Sequence, residues 1–137
     1  MKTAQYQRGI GSLGWVAILA IGGFVLTCFF RLGPHYMDNI SVRDALRSLA
    51  EQNDDVNNLD KEQIFKQLNN YILINNVRGK EAQAFKVVRR KDYTLVNNAY
   101  EVRVPMFYNV DVVLTFKSQL DSSKPETCCE YIIENED

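Results

Sequence analysis

At 137 residues the chain has room for one modest core beside a tail, and not for two lobes around a deep cleft. Net charge is −1, but from Leu32 onward thirteen Lys and Arg stand against seventeen Asp and Glu, leaving that portion at −4. A mildly acidic domain argues against nucleic-acid binding, which needs a basic face. The one dense basic cluster, Arg89-Arg90-Lys91, reads as a solvated strand end or turn.

The first element is an uncharged run from Ile10 to Phe30, behind the basic residues Lys2 and Arg8 and closed by Arg31. As a helix it would be roughly 30 Å long, about the thickness of a bilayer's hydrocarbon core. It exceeds the apolar stretch of a removed signal, and its end, Thr27-Cys28-Phe29-Phe30-Arg31, offers no small-residue cleavage site. The reading is therefore a retained signal anchor over residues 10–31, after a cytoplasmic tail over 1–9. Thr27 before Cys28 fits a lipidation signal poorly, so Cys28 reads as a small hydrophobe. Positive charges near the N-terminal end favour that end inside and residues 32–137 outside, in the periplasm of a bacterial inner membrane. Gly11, Gly14, Ala17 and Gly22 form a small-residue stretch that would let another membrane helix approach closely.

Gly33-Pro34 is expected to break or kink the helix at the membrane exit. Apolar residues from Tyr36 to Ala50 then recur at helical spacing, predicting a helix over about 36–51. Asp60 reads as an N-cap, with Gln63 as its capping-box partner, and Ile64, Phe65, Leu68, Tyr71 and Ile72 give a second helix ending near Leu73.

Beyond Ala84 the period changes to two. Phe85, Val87 and Arg89 alternate with Lys86, Val88 and Arg90; Asp92 to Val96 is a second short strand; Asn97-Asn98 reads as a turn. Tyr100, Val102 and Val104 belong to a third strand that Pro105 limits, Asn109 to Leu120 to a fourth, and Cys128 to Ile133 to a fifth. The expected fold is α+β: an N-terminal transmembrane helix, two short helices, then an antiparallel sheet of four to five strands.

Chemistry is sparse. The single histidine, His35, has no Cys or carboxylate at ligand spacing and reads as an interfacial polar residue. Nucleophile elbow, phosphate loop, zinc helix and dinucleotide fingerprints are all missing from the sequence. Cys128 and Cys129 are the candidate thiol site. On a strand they would point to opposite faces, which favours one buried and one partly exposed thiol over an intermolecular or vicinal disulfide. No catalytic residue, metal site, cofactor or small-molecule substrate is expected, and the protein reads as a non-enzyme.

Two segments carry a resemblance. Gln7-Arg8-Gly9-Ile10-Gly11-Ser12-Leu13-Gly14-Trp15 resembles the leader of type IV pilins, which implies cleavage after Gly9 and a place in a pilus or type II secretion system. A pilin has Glu at the fifth position after the Gly, where this chain has Gly14. The second resemblance spans nearly the whole chain. Gln7-Arg8-Gly9, Gly14-Trp15, the exit Arg31-Leu32-x-Pro34-x-Tyr36 and Tyr100-Glu101-Val102-Arg103-Val104-Pro105-Met106-Phe107 resemble a family of small single-pass proteobacterial membrane proteins bearing a domain of unknown function. Genes of that family commonly sit beside the gene for signal peptidase I, which the resemblance offers as a candidate partner. The expected function is a non-enzymatic accessory or scaffold subunit of an inner-membrane complex; a minor pilin-like subunit is the alternative. Tyr100, Arg103, Pro105 and Phe107 are the candidate partner surface.

Overall fold

The computed structural model describes residues 11–133; the expected cytoplasmic tail and the cleavage position at Gly9 lie outside them. Helix α1 runs unbroken from Ser12 to Gln52. Its first half is apolar on every side and exposed, and it is long and apolar enough to cross a membrane. Its second half is amphipathic. Val42, Ala45, Leu46 and Leu49, spaced i, i+3, i+4, i+7, are all buried.

Pro34 neither ends nor divides the helix, contrary to the expectation of a break and a separate helix from Tyr36. Proline removes only its own N–H, and the turns on either side keep their bonds. Gly33 and Pro34 also lie outside the packed core, so no neighbour forces the chain to turn there.

Helix α2, Lys61–Ile74, begins where the capping box places it: the Gln63 side chain accepts from the Asp60 backbone N–H at 3.0 Å. Ile64, Leu68 and Ile72 bury one stripe against α1. The helix ends in a Schellman motif. Asn76 adopts the left-handed conformation (φ 58°), its N–H donates to Leu73 O and the Val77 N–H donates to Ile72 O, both at 3.1 Å. Val77 is buried beside the stripe it closes. Asn53 Nδ2 donates to Gln67 Oε1 at 2.9 Å, pinning the end of α1 to α2.

Three strands follow: β1 Phe85–Arg89, β2 Thr94–Phe107 and β3 Val110–Asp121, an antiparallel meander in the order β1-β2-β3. The expected mixed α+β class holds; among the described residues the sheet has three strands, where four or five are expected. The turn expected at Asn97-Asn98 is the middle of β2. Both asparagines are buried, and their side chains find partners that turn propensity does not anticipate. Asn98 Nδ2 donates to Glu81 O at 2.8 Å, and Asn97 Oδ1 accepts from Gln119 Nε2 at 2.9 Å. Pro105 sits near the end of β2, where β1 no longer reaches, so no ladder bond on that side is lost. Met106 is the extra residue of a bulge: Pro105 pairs with Asp111, but Phe107 with Val110.

The expected strand at Cys128–Ile133 is an irregular segment after a short 3₁₀ turn, Pro125–Thr127. It is held by a side chain rather than by a ladder: Gln119 reaches across to Ile132 and Ile133. The core lies between α1, α2 and the base of the sheet, with Leu46, Ile64, Leu68, Val96 and Leu120 fully buried.

Candidate functional site

The chemically distinctive ground lies where α1 meets the distal half of the β2–β3 hairpin. Tyr36 and Phe116 meet edge-on with ring centroids 5.3 Å apart, and Phe116 packs on Tyr100 at the same separation. Below them the Arg31 guanidinium donates to Pro105 O. Lower still, Phe24 and Phe107 stack with centroids 5.5 Å apart and planes 12° apart. The hairpin thus runs alongside α1 well into its apolar half.

Of the sequence-selected surface, Arg103, Pro105 and Phe107 are exposed, and Tyr100 is not. Tyr100 faces α1 with its hydroxyl buried and without a hydrogen-bond partner. Burial, then the negative charges of Glu81 and Asp38, push that hydroxyl above the ordinary phenol range. The same group of charges acts on Asp38. Its carboxyl is raised from 3.8 chiefly by burial and then by Glu81, while the charge of His35 pulls the other way. Glu81 is buried at the 3₁₀ turn Lys80–Gln83, where its carboxylate accepts from the Gly79 N–H at 3.1 Å. No sequence signal points to this grouping of His35, Asp38, Glu81 and Tyr100, because its members come from three elements far apart in the chain. Among the described residues no group of three or more His, Cys, Asp or Glu is placed to hold a metal ion.

Two of the small residues in the apolar run have open space around them. A Cβ added at Gly11 or Gly22 would meet nothing within 4 Å. Gly14 is half-buried and Ala17 exposed. On the helical wheel Gly22 lies about 80° to one side of Gly14 and Ala17 about 60° to the other, a broad arc rather than a narrow stripe.

Cys128 and Cys129 are bonded to each other. Opposite faces belong to a strand, and the backbone at Cys128 and Cys129 is irregular, contrary to the expected pair of free thiols. Cys129 is 3% exposed, within the core cluster, with its Sγ 3.3 Å from Arg43 O. The disulfide borders an open groove lined by Asn39, Arg43, Thr115, Lys117, Glu130 and Tyr131, in which the Lys117 ammonium lies 5.5 Å from the centre of the Tyr131 ring. The bond closes a ring within the segment itself; it is the burial of Cys129 in the core cluster that seats the segment beside α1.

No curated protein and no solved structure matches the chain. One family model does, over residues 31–116, from the arginine that closes the apolar run to the middle of β3. That span holds the Arg31–Pro105 contact, the Tyr36–Phe116–Tyr100 aromatic group and the buried charges around Asp38, and it covers well over half of the sequence; the chain belongs to the family described as a domain of unknown function, DUF4845.

Proposed function

We propose that the protein is a non-enzymatic scaffold subunit of a bacterial inner-membrane complex, anchored by residues 10–31 with its N-terminus cytoplasmic and residues 32–137 periplasmic. The observation that carries this reading is the continuity of α1. One helix holds both the exposed apolar half and the residues Val42, Ala45, Leu46 and Leu49 of the core. A partner gripping the membrane half would thereby fix the position of the whole outer domain. Gly11, Gly14, Ala17 and Gly22 would admit a partner helix, with Arg103, Pro105 and Phe107 as the outer contact. Signal peptidase I is the candidate partner on the strength of the resemblance. The test is purification of the tagged full chain in mild detergent, with mass spectrometry of its partners and of its own N-terminus. A stoichiometric membrane partner, lost on Gly14→Leu or Ala17→Leu, supports the reading; a partner unchanged by both substitutions removes its membrane half.

A second reading, a minor pilin-like subunit, is favoured by the same long helix packing its second half on an antiparallel sheet. It requires a mature N-terminus at Ile10, and an intact Met1 on the purified protein would overturn it.

A further inference from the structure

We propose that the tip of the β2–β3 hairpin is a second membrane contact, seated in the outer leaflet of the bilayer that α1 crosses. This rests on the anchor reading of α1.

Phe107 stacks on Phe24, and Phe24 lies seven residues inside the apolar run measured from Arg31. At 1.5 Å per residue that is about 10 Å below Arg31. The hairpin gives a matching length. Arg31 donates to Pro105 O, and Pro105 pairs with Asp111. From that rung to Tyr108 is three residues, again about 10 Å at strand spacing. Arg31 and Asp111 therefore mark one charged level, and everything beyond it on both elements is uncharged: Met106, Phe107, Tyr108, Asn109 and Val110 on the hairpin, Phe24 to Phe30 on the helix. If α1 is in the membrane to Phe30, the tip is carried in with it.

The side chains of the tip fit that place. Phe107 and Val110 are 45% and 58% exposed even with the Phe24 contact made, and Tyr108 is wholly exposed. Tyr108 is also held at φ 35°, a left-handed conformation uncommon for a bulky residue in a turn that glycine or asparagine would fill without strain. An aromatic ring with a hydroxyl end suits the headgroup boundary, where Tyr and Trp concentrate in membrane proteins. The Met106 bulge accompanies a change of pairing register just before Phe107, the residue that meets the helix.

The backbone limits how far the tip descends. β1 covers β2 only as far as Asn98, so the rest of that edge of β2 has no strand neighbour among the described residues. Unpaired backbone groups are costly in hydrocarbon and are satisfied by water and headgroups at the boundary. The tip therefore occupies the boundary layer and upper acyl chains, not the bilayer centre.

The test uses the full chain reconstituted in phosphatidylethanolamine–phosphatidylglycerol vesicles containing a lipid brominated near the carbonyl end of its chains or, separately, near the methyl end. The native Trp15 reports the anchor. A Trp15→Phe, Tyr108→Trp variant reports the tip, at a fully exposed position where the substitution disturbs no packing. Glu101→Trp in the Trp15→Phe background reports the sheet above the charged level. For the tip variant the expected result is a blue shift, loss of most of its emission with the shallow bromine and little loss with the deep one. The variant substituted at Glu101 should lose none with either. Quenching of Trp15 with none in the tip variant would overturn the proposal and leave the anchor standing. Quenching at neither would overturn the anchor and the proposal together.

Discussion

The side-chain amide of Gln119 forms a two-way pairing with the backbone of Ile133, donating to its carbonyl at 2.9 Å and accepting from its N–H at 3.1 Å. The same amide donates to Asn97 Oδ1 at 2.9 Å and accepts from the Ile132 N–H at 3.3 Å. Both donors and both acceptor positions of a buried glutamine are thus in use. Gln119 stands in for a strand neighbour: it offers the C-terminal segment one peptide-like group where a ladder would offer several.

Gln119→Ala should therefore release that segment while leaving the sheet intact. The substitution orphans the Asn97 oxygen and removes both contacts to Ile133, at about 1–3 kcal/mol for each buried group left unmet. We expect a loss of about 2–4 kcal/mol in global stability, with hydrogen exchange accelerated at Ile132 and Ile133 beyond that of β3. Uniform acceleration across the domain would contradict the local role.

The Asp38 carboxyl gives a pH dependence with a definite sign. Its folded value is raised above 3.8 by burial and by Glu81, so the folded protein holds that proton more tightly than the unfolded chain. Its contribution is fully favourable below the unfolded value and is lost as pH rises through the folded one. Asp38→Asn removes the charge that is being penalised. The variant should melt higher than the parent at pH 7, the difference should close below about pH 4, and melting curves of the full chain in mild detergent across that range would show it. Parallel curves at all pH values would refute the assignment.

What the sequence discloses divides along the range of the interactions involved. Helix α2 is legible to within a residue because Asp60, Gln63 and the stripe of Ile64, Leu68 and Ile72 are all local. The long apolar run is legible for the same reason. The centre of β2 is not, because Asn97 and Asn98 carry a turn preference that Gln119 and Glu81 override from 22 and 17 residues away. The fifth strand fails similarly: alternation in Cys128–Ile133 does not reveal that a single glutamine, not a ladder, receives it. Phe24 and Phe107 stack across 83 positions of sequence with no local cue on either side, and the grouping of Asp38, Glu81 and Tyr100 is equally non-local. Tyr100 reads as part of a surface motif and is buried because even positions of β2 from Tyr100 to Met106 turn toward α1.

Gly79 tests how firmly that buried charge is held. Its backbone angles suit any residue, but a Cβ there would collide with the Glu81 carboxylate that its own N–H binds. Gly79→Ala should expel the Glu81 side chain and cost about 1.5–3 kcal/mol, the range of a hydrogen bond to a charged group lost without replacement. In a Glu81→Ala background the same substitution should cost little, so a double-mutant cycle reads the coupling directly. Equal costs in both backgrounds would place the effect in the backbone instead.

Pro34 offers the reverse case, a site where the sequence is less stable than it needs to be. It lies inside α1 without an N–H for the Phe30 carbonyl. A helix-interior proline costs about 3 kcal/mol, and only about 0.4–1 kcal/mol returns through a stiffer unfolded chain. Pro34→Ala should therefore raise stability, by about 1–2 kcal/mol once water is allowed to satisfy part of the orphaned carbonyl. Pro34→Gly should recover less, since glycine forgoes about 1 kcal/mol relative to alanine in a helix. The loss of helical circular dichroism on heating the full chain in detergent measures both. If Pro34→Ala instead lowered the melting temperature, the proline would be fixing the angle between the apolar and the packed half of α1. In that case the Phe24–Phe107 stack should loosen with it, which bromolipid quenching of the Tyr108→Trp variant would report.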